Sequence, residues 1–218
     1  ELAHHFDGLL IGITHPFFAA MQKPMGQLGF DIVVFEGQSL GLHMFAGGAH
    51  LGILACRDEL RPFTPGRLIG EVSDINGKPA LALTYEDREQ HIARDRATSN
   101  ICSNQALNAV RAGAFLTLHG AIGLAQLGNK CQTTALAVRE AFKEIPLLKL
   151  PKKGEIFQEF VIRFKTKNIR QNVSKYLLDR GVLAGLTADK HKGLKSNELM
   201  VSFTETKSIE NLKRLVTY

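Results

Sequence analysis

The chain has 218 residues, 44% of them hydrophobic, and a formal net charge of +6, so it can bury a real core as one large domain or two small ones. No apolar run approaches the roughly 20 residues of a membrane-spanning helix, and the first residues do not read as a secretory leader, so the expected location is the cytoplasm. Cys56, Cys102 and Cys131 are odd in number, widely spaced and without CxxC pairing, which argues against a disulfide framework and leaves them reduced and structural.

In chain order, ELAHH reads as the last turn of a helix stopped near Gly8, as though the chain begins inside an element. Leu9 to Thr14, Asp31 to Phe35 and Leu51 to Cys56 are short apolar runs bounded by glycine and charge, the signature of strands buried on both faces of an α/β sheet. Between Gly70 and Thr84, Asn76-Gly77 separates VSDI from ALALT, and Asn-Gly supplies the two positive-φ positions of a type I′ hairpin turn.

Arg88 to Leu107, REQHIARDRATSNICSNQAL, is the most specific stretch of the chain. Its first half mixes cations, carboxylates, Gln90 and His91. Its second half offers Thr98, Ser99 and Asn100 as helix N-cap candidates ahead of apolar residues at helical spacing. Two helices are expected, about Asn100 to His119 and Ala121 to Ile145, joined at Gly120. After Gly154 the pattern restarts as strand 157–164, helix 169–180, strand 182–186, strand 199–203 and helix 209–216, a small α+β module. The change of character places the domain break at 96/97, with residues 1–96 carrying the sheet and hairpin and 97–218 the helices and the module.

Charge is uneven. Residues 1–109 hold 8 Lys and Arg against 12 Asp and Glu, net −4, whereas residues 110–218 hold 19 against 9, net +10. The basic clusters around Lys152, Lys165 and Lys192 fall at loops and helix ends without interleaved aromatic residues, so they read as solvated surface rather than a nucleic-acid site. None of the eight histidines shows HxxxH or matched His-plus-carboxylate spacing, and no metal site is expected. Gly47-Gly48 lacks the Lys-Ser/Thr of a phosphate-binding loop.

The 88–107 stretch resembles, nearly residue for residue, the REQHIRRxxATSNICTNQAL stretch of the glycine cleavage system P-protein, in its subunit 1 branch. EGQSLG at 36–41 and PGRLIGE at 65–71 agree in order and spacing. The resemblance implies the α/β architecture of pyridoxal-phosphate (PLP) dependent enzymes of fold type I, the aminotransferase-like fold. This chain would supply part of the large-domain sheet and a C-terminal α+β small domain, and would be the C-terminal part of a longer subunit. It further implies an oxidoreductase of glycine catabolism, assembled as a heterotetramer with glycine dehydrogenase subunit 2 and working with the lipoyl H-protein.

By the same resemblance, the catalytic subunit carries a His-Lys pair after the strand matching Asp31 to Phe35, where this chain has Glu36-Gly37-Gln38. The aspartate that faces the pyridine nitrogen falls at about His15. An amide makes no Schiff base, and Lys23 and Lys78 lie elsewhere in the sequence. No catalytic residue and no covalently bound PLP are therefore expected on this chain, and PLP is expected in subunit 2. HMFAGGAHLG at 43–52 also departs from the family's PLSFGGPYLG, losing a proline. Arg67, with Thr98, Ser99 and Asn100, are the candidate subunit-interface residues, and the Arg88, Arg94 and Arg96 set could meet carboxylates at the same face. Two rival readings are a stand-alone binding or scaffold protein derived from this fold, and a complete PLP enzyme whose lysine lies elsewhere.

Overall fold

The computed structural model describes residues 2–44, 50–99, 105–151 and 154–207. By contact the chain forms two compact units, Glu1–His119 and Gly120–Tyr218, whereas composition places the break at 96/97.

The first unit opens with α1 (Leu2–His5). It closes through N–H bonds from Gly8 to the Ala3 carbonyl and from Asp7 to the His4 carbonyl, 2.9 and 3.2 Å. This is a Schellman closure in which Asp7 takes the left-handed conformation at φ 53. Its sheet has the order β1-β2-β3. β1 (Ile11–Thr14) runs parallel to β2 (Ile32–Glu36), pairing Ile11 with Ile32 and Thr14 with Phe35, and β3 (Gly52–Cys56) runs antiparallel to β2.

The strands were expected to be buried on both faces, and the described chain covers only one. Gly12 and Val33, paired on one face, are buried. On the other face Ile11, Ile13 and Leu54 are 54%, 85% and 41% exposed. Alternate side chains of a strand point to opposite faces, so the apolar run signals two covers of which the described residues bring one.

β4 (Leu68–Ser73) and β5 (Pro79–Thr84) form an antiparallel ribbon. The turn is not the two-residue type I′ expected from Asn76-Gly77. Asp74 and Lys78 close the ladder, with the Asp74 N–H donating to the Lys78 carbonyl at 2.8 Å and the Gly77 N–H to the Asp74 carbonyl at 3.0 Å. Gly77 takes φ 75, while Asn76 is absent from the positive-φ residues. This is a type I turn followed by a left-handed glycine. Asp74 selects it, because its Oδ1 accepts the N–H groups of Asn76 and Lys78, both at 2.8 Å. A short α3 (Gln90–Ala93) follows.

The next helix, α4 (Ala106–Lys143), is interrupted at Gly120, where φ is 59 and ψ −176. The second unit packs the later part of α4 and α5 (Lys167–Leu178) on an antiparallel sheet of β6 (Leu148–Lys149), β7 (Glu159–Phe164) and β8 (Glu198–Ser202). β6 has no counterpart in the sequence reading. The core joins Ala135, Val138 and Phe142 to Phe160, Ile162, Phe164, Leu199, Val201 and Phe203. Full burial of such a side chain contributes about 2 kcal/mol.

The expected strand 182–186 is reduced to a single bridge between Leu186 and Met200. Gly185 sits at φ 143, with no room for a Cβ beside the Met200 carbonyl, so the segment cannot extend the ladder toward Val182. The expected helix 209–216 and the loop 45–49 lie outside the described residues.

Candidate functional site

The register that pairs Thr14 with Phe35 brings the residues after β1 and β2 to one end of a parallel strand pair, the end at which α/β sheets place their chemistry. His15 follows β1 and caps the five-residue α2 (Pro16–Ala20), its Nδ1 accepting the Phe17 N–H at 3.2 Å. Glu36 ends β2, and half-buried Gln38 lies two residues on. The two positions singled out in the sequence are thus at the same end of the sheet.

Glu36 organises this end. Its Oε1 accepts the N–H groups of Gln38 at 3.0 Å and Leu51 at 3.1 Å, and its Oε2 meets His50 Nδ1 at 3.1 Å. Burial pushes the carboxyl upward, but the Leu51 and Gln38 amides and His50 together hold it below the usual carboxylate range. The Glu36 and His50 pairing escaped the sequence reading because antiparallel pairing of Glu36 with Gly52, not local spacing, brings residue 50 alongside. The same holds for His4, whose Nε2 lies 2.7 Å from Asp31 Oδ2, with Arg57 Nε at 3.0 Å from Oδ1. Among the described residues no group of three or more His, Cys, Asp or Glu could hold a metal ion.

PLP does not fit this end as a covalent cofactor. The groups there are an imidazole engaged as a helix cap, a carboxylate and a carboxamide, none of which forms an aldimine. Lys23 lies beyond α2 and Lys78 in the hairpin turn. An apolar cleft of about 230 Å³ between Leu9, Ile32, Leu54, Leu60 and Phe63 offers no ionisable group.

The 88–99 segment is an internal clamp. Arg88 is 9% exposed. Its guanidinium donates to the Pro62 carbonyl at 3.1 Å and to those of Thr64 and Gly66, and it stands over the Tyr85 ring at 5.9 Å. Arg88 therefore serves the fold and not a subunit face. Its own carbonyl accepts the N–H groups of Thr98 and Ser99, both at 3.2 Å, and Glu89 bridges Ser99.

Thr98 and Ser99 consequently do not cap the following helix, which begins at Ala106 with the Ala109 N–H donating to the Gln105 carbonyl. The cap-forming residue types mark a bridged crossing segment instead. Ser99 is buried, Thr98 and Arg67 are exposed, and Asn100 lies outside the described residues.

A parallel strand pair with polar residues at its C-terminal end, a hairpin, a long broken helix and a small α+β unit make up the mixed α/β fold of PLP-dependent enzymes of fold type I. Structural comparison agrees: a cysteine desulfurase from Escherichia coli superposes with a TM-score of 0.67 at 14% identity, over 99% of this chain and 52% of that one. A glycine decarboxylase (P-protein) of the glycine cleavage system, solved in an inhibitor-bound form, superposes with a TM-score of 0.88 at 30% identity, over 99% of this chain and 48% of that one.

Residues 1–218 match the glycine cleavage system P-protein family throughout, and the chain belongs to that family. It is similar to proteins named probable glycine dehydrogenase (decarboxylating) subunit 1. The one from Desulforamulus reducens is 38% identical over 215 residues, 99% of this chain and 48% of the relative. The one from Nitrosomonas europaea is 36% identical over 217 residues, 98% of this chain and 48% of the relative. The chain spans about half the length of these relatives. No helix among the described residues is long and apolar enough to cross a membrane.

Proposed function

We propose that the chain is part of subunit 1 of glycine dehydrogenase (decarboxylating), which assembles with subunit 2 in the cytoplasm as a heterotetramer. In this reading the assembly decarboxylates glycine and passes the aminomethyl group to the lipoyl H-protein, with PLP held by subunit 2. The observation that carries the reading is that His15 and Gln38 both follow the C-terminal ends of the parallel strands β1 and β2, where a pyridine carboxylate and a Schiff-base lysine would be required of a chain doing the chemistry itself. Exposed Arg67 and Thr98, with Asn100, would meet subunit 2, while buried Ser99 holds the segment in place.

Reconstitution tests this reading. The chain in its full-length protein, mixed with subunit 2, PLP and lipoyl H-protein, should restore glycine-dependent carbon dioxide release that neither subunit supports alone. Borohydride reduction of the mixture followed by peptide mass spectrometry should find the stoichiometric PLP adduct on subunit 2. One stoichiometric, site-specific adduct on this chain would refute the assignment.

A further inference from the structure

We propose that Arg170 and Ser174 form an oxyanion-binding site on the second unit, taking the phosphate or carboxylate group of a small ligand. The inference is independent of the function proposed above. Arg170 is the fourth residue of α5 and only 8% exposed. Its Nε is buried without a hydrogen-bond partner among the described residues. One turn further on, at the i+4 position that lies on the same helix face, the Ser174 Oγ is also buried and without a partner among the described residues. A guanidinium and a hydroxyl one turn apart on one helix face are two donor groups that could serve one acceptor, and burying them unpaired is costly.

Among the described residues, the carboxylate whose ionisation Arg170 favours does not fill the role. The Asp189 carboxylate already accepts the Thr187 hydroxyl, and Arg170 acts on it only as a charge at a distance. The surroundings favour an anion. Lys165 and Lys167 flank Thr166, whose Oγ1 caps α5 by accepting the Ile169 N–H at 3.2 Å. Residues 120–218 hold 18 Lys and Arg against 9 Asp and Glu, net +9. The small residual exposure of Arg170 suits a single oxyanion group reaching in rather than a broad protein surface, and the planar guanidinium matches the paired oxygens of phosphate or carboxylate.

Calorimetric titration of the full chain with inorganic phosphate, with acetate as the carboxylate arm and chloride at matched ionic strength as the control, tests the site. Saturable binding of phosphate or acetate is expected, and the tighter of the two identifies the chemistry of the natural ligand. Arg170→Gln should weaken binding roughly tenfold or more, and Ser174→Ala by about threefold. Arg170→Lys keeps the charge without the fork and should fall between wild type and Gln, so it reports on the site if the Gln variant fails to fold. Absence of saturable binding, an equal response to chloride, or unchanged affinity in both Arg170→Lys and Ser174→Ala would overturn the proposal.

Discussion

His50 Nδ1 and Glu36 Oε2 meet at 3.1 Å although 14 residues separate them. The imidazole is the third ligand of a carboxylate that already gathers two backbone N–H groups, so Glu36 ties the end of β2 to the start of β3. Glu36→Gln keeps one acceptor oxygen and gives up the charge. Because both side chains are more than half exposed, the loss should be modest, about 1 kcal/mol in urea unfolding, and His50→Ala should cost less than that.

Acid sensitivity follows from Asp31. The Leu10 amide, the His4 side chain and Arg57 hold its carboxyl below the ordinary carboxylate range against the opposing pull of burial. A carboxyl depressed in the folded state gives stability that is fully present above its unfolded pKa of about 3.9 and is lost as pH falls through the folded value. The melting temperature should therefore drop as pH is lowered from about 5, and Asp31→Asn should flatten that limb. A variant curve parallel to wild type would show that Asp31 is not linked to unfolding.

Arg88 answers three carbonyls with one guanidinium. Arg88→Ala leaves three part-buried carbonyls without their donor and should cost about 3 kcal/mol. Arg88→Lys keeps the charge but cannot span the three, and should recover less than half of that loss. Denaturant unfolding of both variants measures the difference.

If the proposed assembly holds, Thr98 and Ser99 should separate association from folding. Ser99→Ala removes a buried hydroxyl that has no partner among the described residues and should change stability by no more than about 0.5 kcal/mol. Thr98→Ala, on an exposed side chain, should leave the melting temperature unchanged and weaken association with subunit 2. Equal association of wild type and Thr98→Ala, measured by calorimetry, would remove Thr98 from the interface.

Cys131 should be inert. Burial, together with the Glu205 carboxylate 3.4 Å from its sulfur, pushes the thiol up to about 11, leaving almost no thiolate at neutral pH. Mass spectrometry after brief alkylation of the native chain should find Cys56, which is half-buried, modified well before Cys131.

Much of the fold was legible because it rests on local periodicity. The three apolar runs became β1, β2 and β3, and the segments around Phe160 and Leu199 became paired strands. What was misread depended on partners distant in sequence. Asp74 overrode the Asn-Gly turn signal, Gly185 left the strand conformation with a positive φ where it passes the Met200 carbonyl, and the Arg88 carbonyl drew Thr98 and Ser99 away from a cap. At the candidate site His15 and Gln38 were visible as departures from a family pattern, whereas Glu36 and His50 were not, since no short motif encodes a contact made through antiparallel register.

The grip of Arg88 on the Pro62, Thr64 and Gly66 carbonyls also bears on how this chain can change over evolutionary time. PGRLIGE and REQHI look like two separate signatures in the sequence, yet the arginine of the second holds the backbone that leads into the first. A drifting backbone at 62–66 would strand the arginine, and a replaced arginine would release the backbone. The two stretches should therefore be gained, kept or lost together, and a descendant that swaps one should carry a compensating change in the other.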